Sequence, residues 1–407
     1  MSDTSNTYFL HADGDSFFVA CELVARPDLK GKPVIVGEDR GIAVAMSSEA
    51  KKLGVTRGMP VFQIKKQFPS VVILPHHFEL YREISEEMYQ ILLSHVEEVE
   101  RYSIDECFAI VKSADIAFAG GERELLVTIK KEIETKLGVT YSFGLGRTKT
   151  LAKTASKLEK PNGVTALLTK EDEERALRKT HIEDVWGIGR RTVPRLLERG
   201  LKTAYDFIQF SEKEIEHFFS EPLVVLQKEL RGESVLSVVS NSDPRDQKTL
   251  QSTASFKPFT NDSKIIWAEL ADNAEEACAR ARELDVLSNH VSFFIKTVDF
   301  VSYGATVKLS EYTADPGVVL NAIEKEFNKN FRKKERIRST GITLLNLVRV
   351  EEVPRDLFGK QNHSIGKLAL ERAADKMREK YGHGIIRRAS ALKSKLKNRG
   401  NSLPGSV

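Results

Sequence analysis

No disulfide framework and no cysteine-built zinc site can be drawn from this sequence. Its three cysteines, Cys21, Cys107 and Cys278, lie far apart and none belongs to a C-x-x-C pair. That usage fits a reducing compartment, and the expected location is cytoplasmic. No window approaches the roughly 18 uninterrupted apolar residues of a membrane span, so no membrane partner is expected. Met1-Ser2-Asp3-Thr4-Ser5-Asn6 is polar and does not read as a signal peptide. Charge of one sign is scarce as well: 62 Lys and Arg against 58 Asp and Glu leave a net +4, too little for the total to name a partner. What is present is 407 residues, 41% hydrophobic and 29% charged, a globular composition too long for one core and suited to two to four domains.

Tyr8 to Ala12 is apolar enough for a buried strand, and Ser16 is placed to cap a helix whose apolar side is Phe17, Ala20, Cys21 and Val24. Asp13 then sits where a strand runs out of a sheet, a usual place for a functional residue in α/β proteins. Gly14 lets backbone come close to a ligand. Taken alone, D-x-D before a helix is also an ordinary cap and turn. Further on, short strands at 34–36, 41–45 and 71–74 surround two short helices, one capped by Ser47 or Ser48 and stopped by Gly54. Then come a helix carrying Tyr81, Ile84, Met88, Ile91, Leu92 and Val96, a strand pair at 98–103 and 107–111, a helix through Leu125 and Leu137, and a strand at 139–145. With the insertion set aside the order is βαββαβ, the split arrangement of ferredoxin-like folds.

The strand pair holds the second source of carboxylates, Arg101-Tyr102-Ser103-Ile104-Asp105-Glu106-Cys107-Phe108. In a straight strand Asp105 and Glu106 face opposite sides, whereas at a turn both reach one side and converge with Asp13 on the neighbouring strand. Three carboxylates and the Gly14 carbonyl are hard oxygen ligands suited to Mg²⁺, and two such ions would clamp an in-line phosphoryl displacement. The plainer reading, that Asp105 and Glu106 only shape the turn, stands beside it at this point.

With both blocks in view, D-G-D-S-F-F-V-A-C-E from Asp13 and Y-S-I-D-E-C-F from Tyr102, the chain resembles the Y-family of translesion DNA polymerases. Leu29-Lys30-Gly31-Lys32-Pro33-Val34, Glu49 to Val55, Leu74-Pro75 with Tyr81-Arg82, and Lys160-Pro161-Asn162-Gly163 match as well, so the resemblance spans about Tyr8 to Arg349. It implies an α+β multidomain fold: a palm over 1–166 with fingers inserted at about 26–76, a thumb over 167–233, a linker over 234–248, a little finger over 249–350 and a tail over 351–407. It implies dNTP addition to a primer 3′-hydroxyl on template DNA, low fidelity, bypass of damage and a place in an SOS-type response. Asp13, Asp105 and Glu106 would be catalytic and, with Gly14, would hold two Mg²⁺ ions. Phe18 matches the ring that excludes a 2′-hydroxyl, and Phe17, Ser48, Lys51 and Lys160 complete the nucleotide site. Two departures bear on that site: the family usually has tyrosine at Ser48 and, more commonly, arginine at Lys51. A weaker grip on the triphosphate is expected, which Ser48→Tyr should tighten, read as a lower nucleotide KM.

Val185-Trp186-Gly187-Ile188-Gly189-Arg190-Arg191 resembles a helix-hairpin-helix element, whose free N–H groups bind a DNA phosphate without reading sequence. Gly187, Gly189, Arg190 and Arg191 are therefore expected DNA contacts, as are Lys333, Lys334, Arg336 and Arg338 in the basic run of the last module. A solvated loop is the alternative for that run. Val353 to Phe358 resembles the peptide that hooks a sliding clamp, with Leu357 and Phe358 filling the pocket, although no glutamine precedes the pair. Leu368, Leu370, Ala374 and Met377 suit one amphipathic helix, and an accessory subunit or a recombinase filament is an open partner. Two other readings remain: a catalytically weak DNA- and clamp-binding relative, disfavoured because all three carboxylates are present, and a nucleotide cyclase, which has no use for the G-I-G segment.

Overall fold

In a computed structural model of the chain, residues 7–38, 41–240, 247–353, 362–382, 385, 386 and 388 are described. The clamp-hook residues Leu357 and Phe358 lie outside them. The chain divides into two compact units, 1–241 and 242–405.

The first unit opens with β1 (Tyr8–Gly14) and α1 (Phe17–Ala25). An inserted subdomain follows, with β2 (Val34–Val36), β3 (Ala45–Met46), α2 (Ser48–Lys52), α3 (Val61–Gln67) and β4 (Val72–Leu74). Its sheet runs β3-β2-β4 over a small core that includes Ile35, Ala50, Val61 and Ile64. The chain then returns through α4 (Phe78–His95), β5 (Glu98–Arg101), β6 (Glu106–Val111), α5 (Ser113–Ala119), α6 (Glu122–Leu137), β7 (Tyr141–Gly146), α7 (Lys149–Leu158) and β8 (Val164–Ala166). The main sheet has the order β5-β6-β1-β7-β8. Its first four strands, with the helices between them, are the expected ferredoxin-like βαββαβ; α5, α7 and β8 are additions that the apolar periodicity did not show.

β1 is central and all seven of its residues are buried. Leu10 and Ala12 pack into the core formed with Tyr81, Met88, Leu92, Ile129 and Ile133 of α4 and α6. Against β7 lies α7, and the approach is close because β7 carries glycines there. A Cβ at Gly144 would sit 2.1 Å from the Ala152 carbonyl oxygen, and one at Gly146 would sit 2.9 Å from the Ala152 nitrogen. Only glycine permits that contact.

Helices α8 (Lys170–Lys179), α9 (Val193–Leu197), α10 (Ala204–Gln209), α11 (Glu212–Phe218) and α12 (Glu221–Leu230) close the first unit around Leu177, Leu196, Phe207 and Leu226. Thr169 and Asp172 cap α8 reciprocally, as a T-x-x-D start predicts. Leu196 and Leu201 are core, while Leu197, which its apolar side chain alone would place there too, is 46% exposed.

The second unit is β9 (Thr249–Thr260), α13 (Ser263–Glu283), β10 (Val286–Thr297), β11 (Ser302–Thr313), α14 (Pro316–Asn330), β12 (Ile337–Arg349) and α15 (Asn362–Tyr381). Its antiparallel sheet runs β11-β10-β12-β9. Residues of β9 alternate buried and exposed from Thr249 to Phe256, so one face of the strand is packed and the other is left to solvent. The expected helix around Leu368 exists, but Leu370 is 70% and Met377 46% exposed. Leu368 packs against the core of the second unit, and charge holds the rest of α15: Arg282 donates to Asp375 at 2.6 and 2.8 Å, and Arg378 donates to Glu275 at 2.8 Å.

Candidate active site

Asp13, near the end of β1, pairs in register with Glu106 on one side and Ser142 on the other. Glu106 is the first residue of β6, and Asp105 is the last residue of the turn before it. Tyr102 and Ser103 N–H both donate to the Glu106 carbonyl, at 3.1 and 3.0 Å, and Gly14 N–H donates to the Asp105 carbonyl at 2.9 Å. This turn brings the three acids to one end of the sheet. Ligand atoms of Asp13, Glu106 and His11 lie within 4.8 Å of one another. Burial raises the Asp105 pKa, the Ser103 hydroxyl at 2.5 Å opposes the rise, and the charges of Glu106 and Asp13 add to it. Carboxylates that repel one another this way call for a cation. The donor set, all hard oxygen apart from His11, suits a small divalent ion.

Two lysines answer the acids. Lys160 pairs with Asp13, and Lys153 Nζ lies 2.5 Å from Glu106 Oε2. Burial pushes the Glu106 carboxyl up, but contacts with His11 and Lys153 more than reverse it and hold it at about 2. His11 is fully buried, which lowers its pKa against the pull of Glu106. His11 Nδ1 lies 2.7 Å from Ser156 Oγ, and Nε2 lies 3.5 Å from Lys153 Nζ and 3.8 Å from Glu106 Oε2. Neither His11 nor Lys153 stood out in the sequence. Both sit on buried polar faces that the apolar pattern does not mark, and the glycines of β7 are the one local signal that a helix lies against it.

Around the nucleotide positions the structure sorts the expected residues. Phe18 is half-buried and stacks on Tyr81 with ring centroids 4.5 Å apart and planes at 14°. Tyr81 is itself fixed, donating to Glu22 at 2.5 Å, and His77 Nδ1 lies 2.8 Å from the same carboxylate. Phe17 is 3% exposed and its ring packs edge-on to Tyr141 in the core. Ser16 is a correction: at φ 51° its side chain makes no cap bond, and its hydroxyl instead accepts from Lys51 Nζ at 3.3 Å. Ser47 caps α2, accepting from Ala50 N–H, which leaves Ser48 exposed at the first position of the helix. Asp15 accepts from Ser142 Oγ and from Asn162 N–H, both at 2.8 Å, and so ties down the loop that carries Lys160.

Elsewhere, Gly187 takes φ +92°, and Gly187, Gly189, Arg190 and Arg191 are all exposed ahead of the short α9. In the second unit Lys333 and Lys334 are exposed. Arg338 lies over the Phe300 ring at 4.7 Å and Arg336 over Phe259 at 5.9 Å. The basic run is thus interleaved with aromatic faces, a surface of the kind used for nucleic-acid strands.

The impB/mucB/samB family matches residues 12–157, and the C-terminal domain of that family matches 247–357. Protein UmuC of Salmonella typhimurium is 31% identical over 93% of this chain and 92% of its own length. DNA polymerase IV of Desulfatibacillum aliphaticivorans is 29% identical over 94% of this chain and 96% of its own. A solved Y-family DNA polymerase chimera of Dbh and Dpo4 is similar in fold, with a TM-score of 0.72, 23% identity, and coverage of 84% of this chain and 99% of its own. The chain belongs to the impB/mucB/samB family, the Y-family of translesion DNA polymerases. It is a DNA-directed DNA polymerase of the translesion type, and dependence on a divalent metal comes with that membership.

Proposed function

We propose that the chain extends a primer on template DNA, forming a bond from the primer 3′-oxygen to the α-phosphorus of a dNTP while the bond to pyrophosphate breaks. Bound by Asp13, Asp105, Glu106 and the Gly14 carbonyl, two Mg²⁺ ions would supply Lewis-acid stabilisation of that displacement. Lys160, beside Asp13, carries positive charge toward the leaving pyrophosphate, and Lys51 does so from the inserted subdomain. Phe18, backed by Tyr81, forms the floor under the sugar and leaves no room for a 2′-hydroxyl. In this reading the ferredoxin-like layer is the palm, the β2–β4 insertion the fingers, α8–α12 the thumb and the second unit the little finger. The exposed groups at 187–191 and 333–338 meet the DNA backbone. Leu357 and Phe358 hook a sliding clamp, a part of the reading that rests on sequence alone.

The observation that carries the proposal is the convergence of Asp13, Asp105 and Glu106 at one sheet end with Lys160 beside them. Primer extension with Mg²⁺ tests it. Wild-type protein is expected to extend primed DNA, and the Asp105→Ala/Glu106→Ala variant is expected to be inert. Absence of extension by pure, folded wild type would sink the proposal.

A further inference from the structure

Lys153 is 5% exposed, an uncommon position for an ammonium group, and its surroundings are specific. Its Nζ lies 2.5 Å from Glu106 Oε2 and 3.5 Å from His11 Nε2. Three rings enclose it, with centroids at 4.6 Å for Tyr102, 5.4 Å for Trp186 and 5.7 Å for Phe108. Trp186 is locked there, donating its indole N–H to the Tyr102 hydroxyl at 3.1 Å. It also lies 5.6 Å, centroid to centroid, from both Tyr102 and Phe108. A lysine on a four-carbon stem ordinarily moves freely. Here the helix α7, the sheet and the 185–192 hairpin leave it one place to be.

We propose that Lys153 is a positioning residue: it holds one oxygen of Glu106 and leaves the other to the catalytic ion, within an aromatic box that Trp186 closes. The inference rests on Glu106 being an ion ligand. A lysine in this place acts in two opposed ways. As a fixed donor it removes the rotational freedom of the carboxylate, which favours the reactive arrangement. As a cation in contact with Glu106 it offsets charge that would otherwise attract the ion, and so weakens ion binding. Removing it separates the two effects, because ion binding tightens while the chemical step slows. Loss of general packing would instead weaken both together. Trp186 directly precedes Gly187, so the hairpin proposed to take the DNA backbone also forms a wall of the box around the Glu106 partner.

The test compares wild type with Lys153→Met, which fills the box without charge, Lys153→Arg, which keeps charge and donors, and Glu106→Gln. Three quantities are read: Mn²⁺ affinity of the DNA-free protein from the paramagnetic resonance of free Mn²⁺, single-nucleotide kcat and dNTP KM, and melting temperature. For Lys153→Met the expected result is Mn²⁺ binding tighter by several-fold, kcat lower by about 10- to 100-fold, and KM within about threefold of wild type. Lys153→Arg is expected to bind Mn²⁺ as wild type does and to keep kcat within about tenfold. An unchanged kcat in folded Lys153→Met overturns the proposal, and so does Mn²⁺ affinity falling together with kcat. If the Met variant melts well below wild type, the Arg variant decides: kcat as low as that of Glu106→Gln at a normal melting temperature overturns it. Should Glu106→Gln itself keep both Mn²⁺ affinity and kcat, the ligand assignment fails, and that result is distinct from a failure of Lys153.

Discussion

At the scale of single residues, the proposed nucleotide site consists of side chains that other side chains hold still. Phe18 is stacked flat on Tyr81, whose hydroxyl is in turn bonded to the buried Glu22, so the ring cannot easily swing aside for a ribose. Phe18→Ala removes that floor. Discrimination by a pocket wall of this kind is worth about 1–3 kcal/mol, so preference for dNTP over rNTP should fall by about 10- to 200-fold while dNTP insertion persists. Competing single-nucleotide insertion measures it, and an unchanged ratio would remove Phe18 from the role. Asp15, the second acid of the D-x-D block, has a definite task of its own. It accepts the Asn162 N–H and the Ser142 hydroxyl, and Asn162 at φ +64° turns the loop next to Lys160. A hydrogen bond to a charged group contributes about 1.5–3 kcal/mol, so Asp15→Ala should lower kcat/KM for dNTP by roughly tenfold. If it acts through Lys160, Asp15→Ala and Lys160→Ala combined should cost less than the sum of the two alone. Strict additivity would show that Asp15 serves only the fold.

At the scale of elements, the helix that matters most to the site is the one the sequence hid. Its residues Lys149, Thr150, Lys153, Thr154 and Ser156 are polar and nevertheless buried, so the short apolar stripe of Leu151, Ala155 and Leu158 understates how much of α7 is packed. By contrast β1, α4, α6 and β7 were legible, because their apolar residues recur at strand or helix spacing on faces that meet one core. Asp13, Asp105 and Glu106 were legible from their two motifs, whereas Lys153 was not, since a buried lysine is readable only once its partners are placed. The sign of α7 was indirect, in Gly144 and Gly146 on β7. Gly144→Ala puts a methyl 2.1 Å from the Ala152 carbonyl oxygen, and backbone must move to relieve it. Overpacking of this kind costs typically 1–3 kcal/mol or more, so the melting temperature should fall. Because α7 carries Lys153 and leads to Lys160, insertion by the folded fraction should fall as well. Gly144→Ala with wild-type melting and kcat would show that α7 is not packed on β7 as described.

At the scale of the whole molecule, each unit has cores of its own, one around Leu10 and Ile129 and another around Phe207 in the first, and one around Ile266, Val291 and Ile342 in the second. Every group proposed for chemistry belongs to the first unit, whereas Lys333, Lys334, Arg336 and Arg338 belong to the second. Function therefore divides between the units in a way that can be measured. A fragment of residues 1–240 keeps the carboxylates, Lys153, Lys160 and Phe18, and should still extend primers when DNA and dNTP are saturating. Its DNA affinity should be weaker at every sequence tested. Each phosphate contact contributes about 0.9 to the slope of log affinity against log salt, so loss of four contacts should flatten that slope by about 3–4. Replacing the four basic residues by alanine in the full chain should give nearly the same flattening and leave kcat at saturating DNA close to wild type. Fluorescence anisotropy on one primer-template over a range of salt reads both. A slope unchanged by the fragment and by the alanine variant would place the phosphate contacts elsewhere. A fragment that is folded but inert at saturating DNA would mean that the second unit does more than hold the strand.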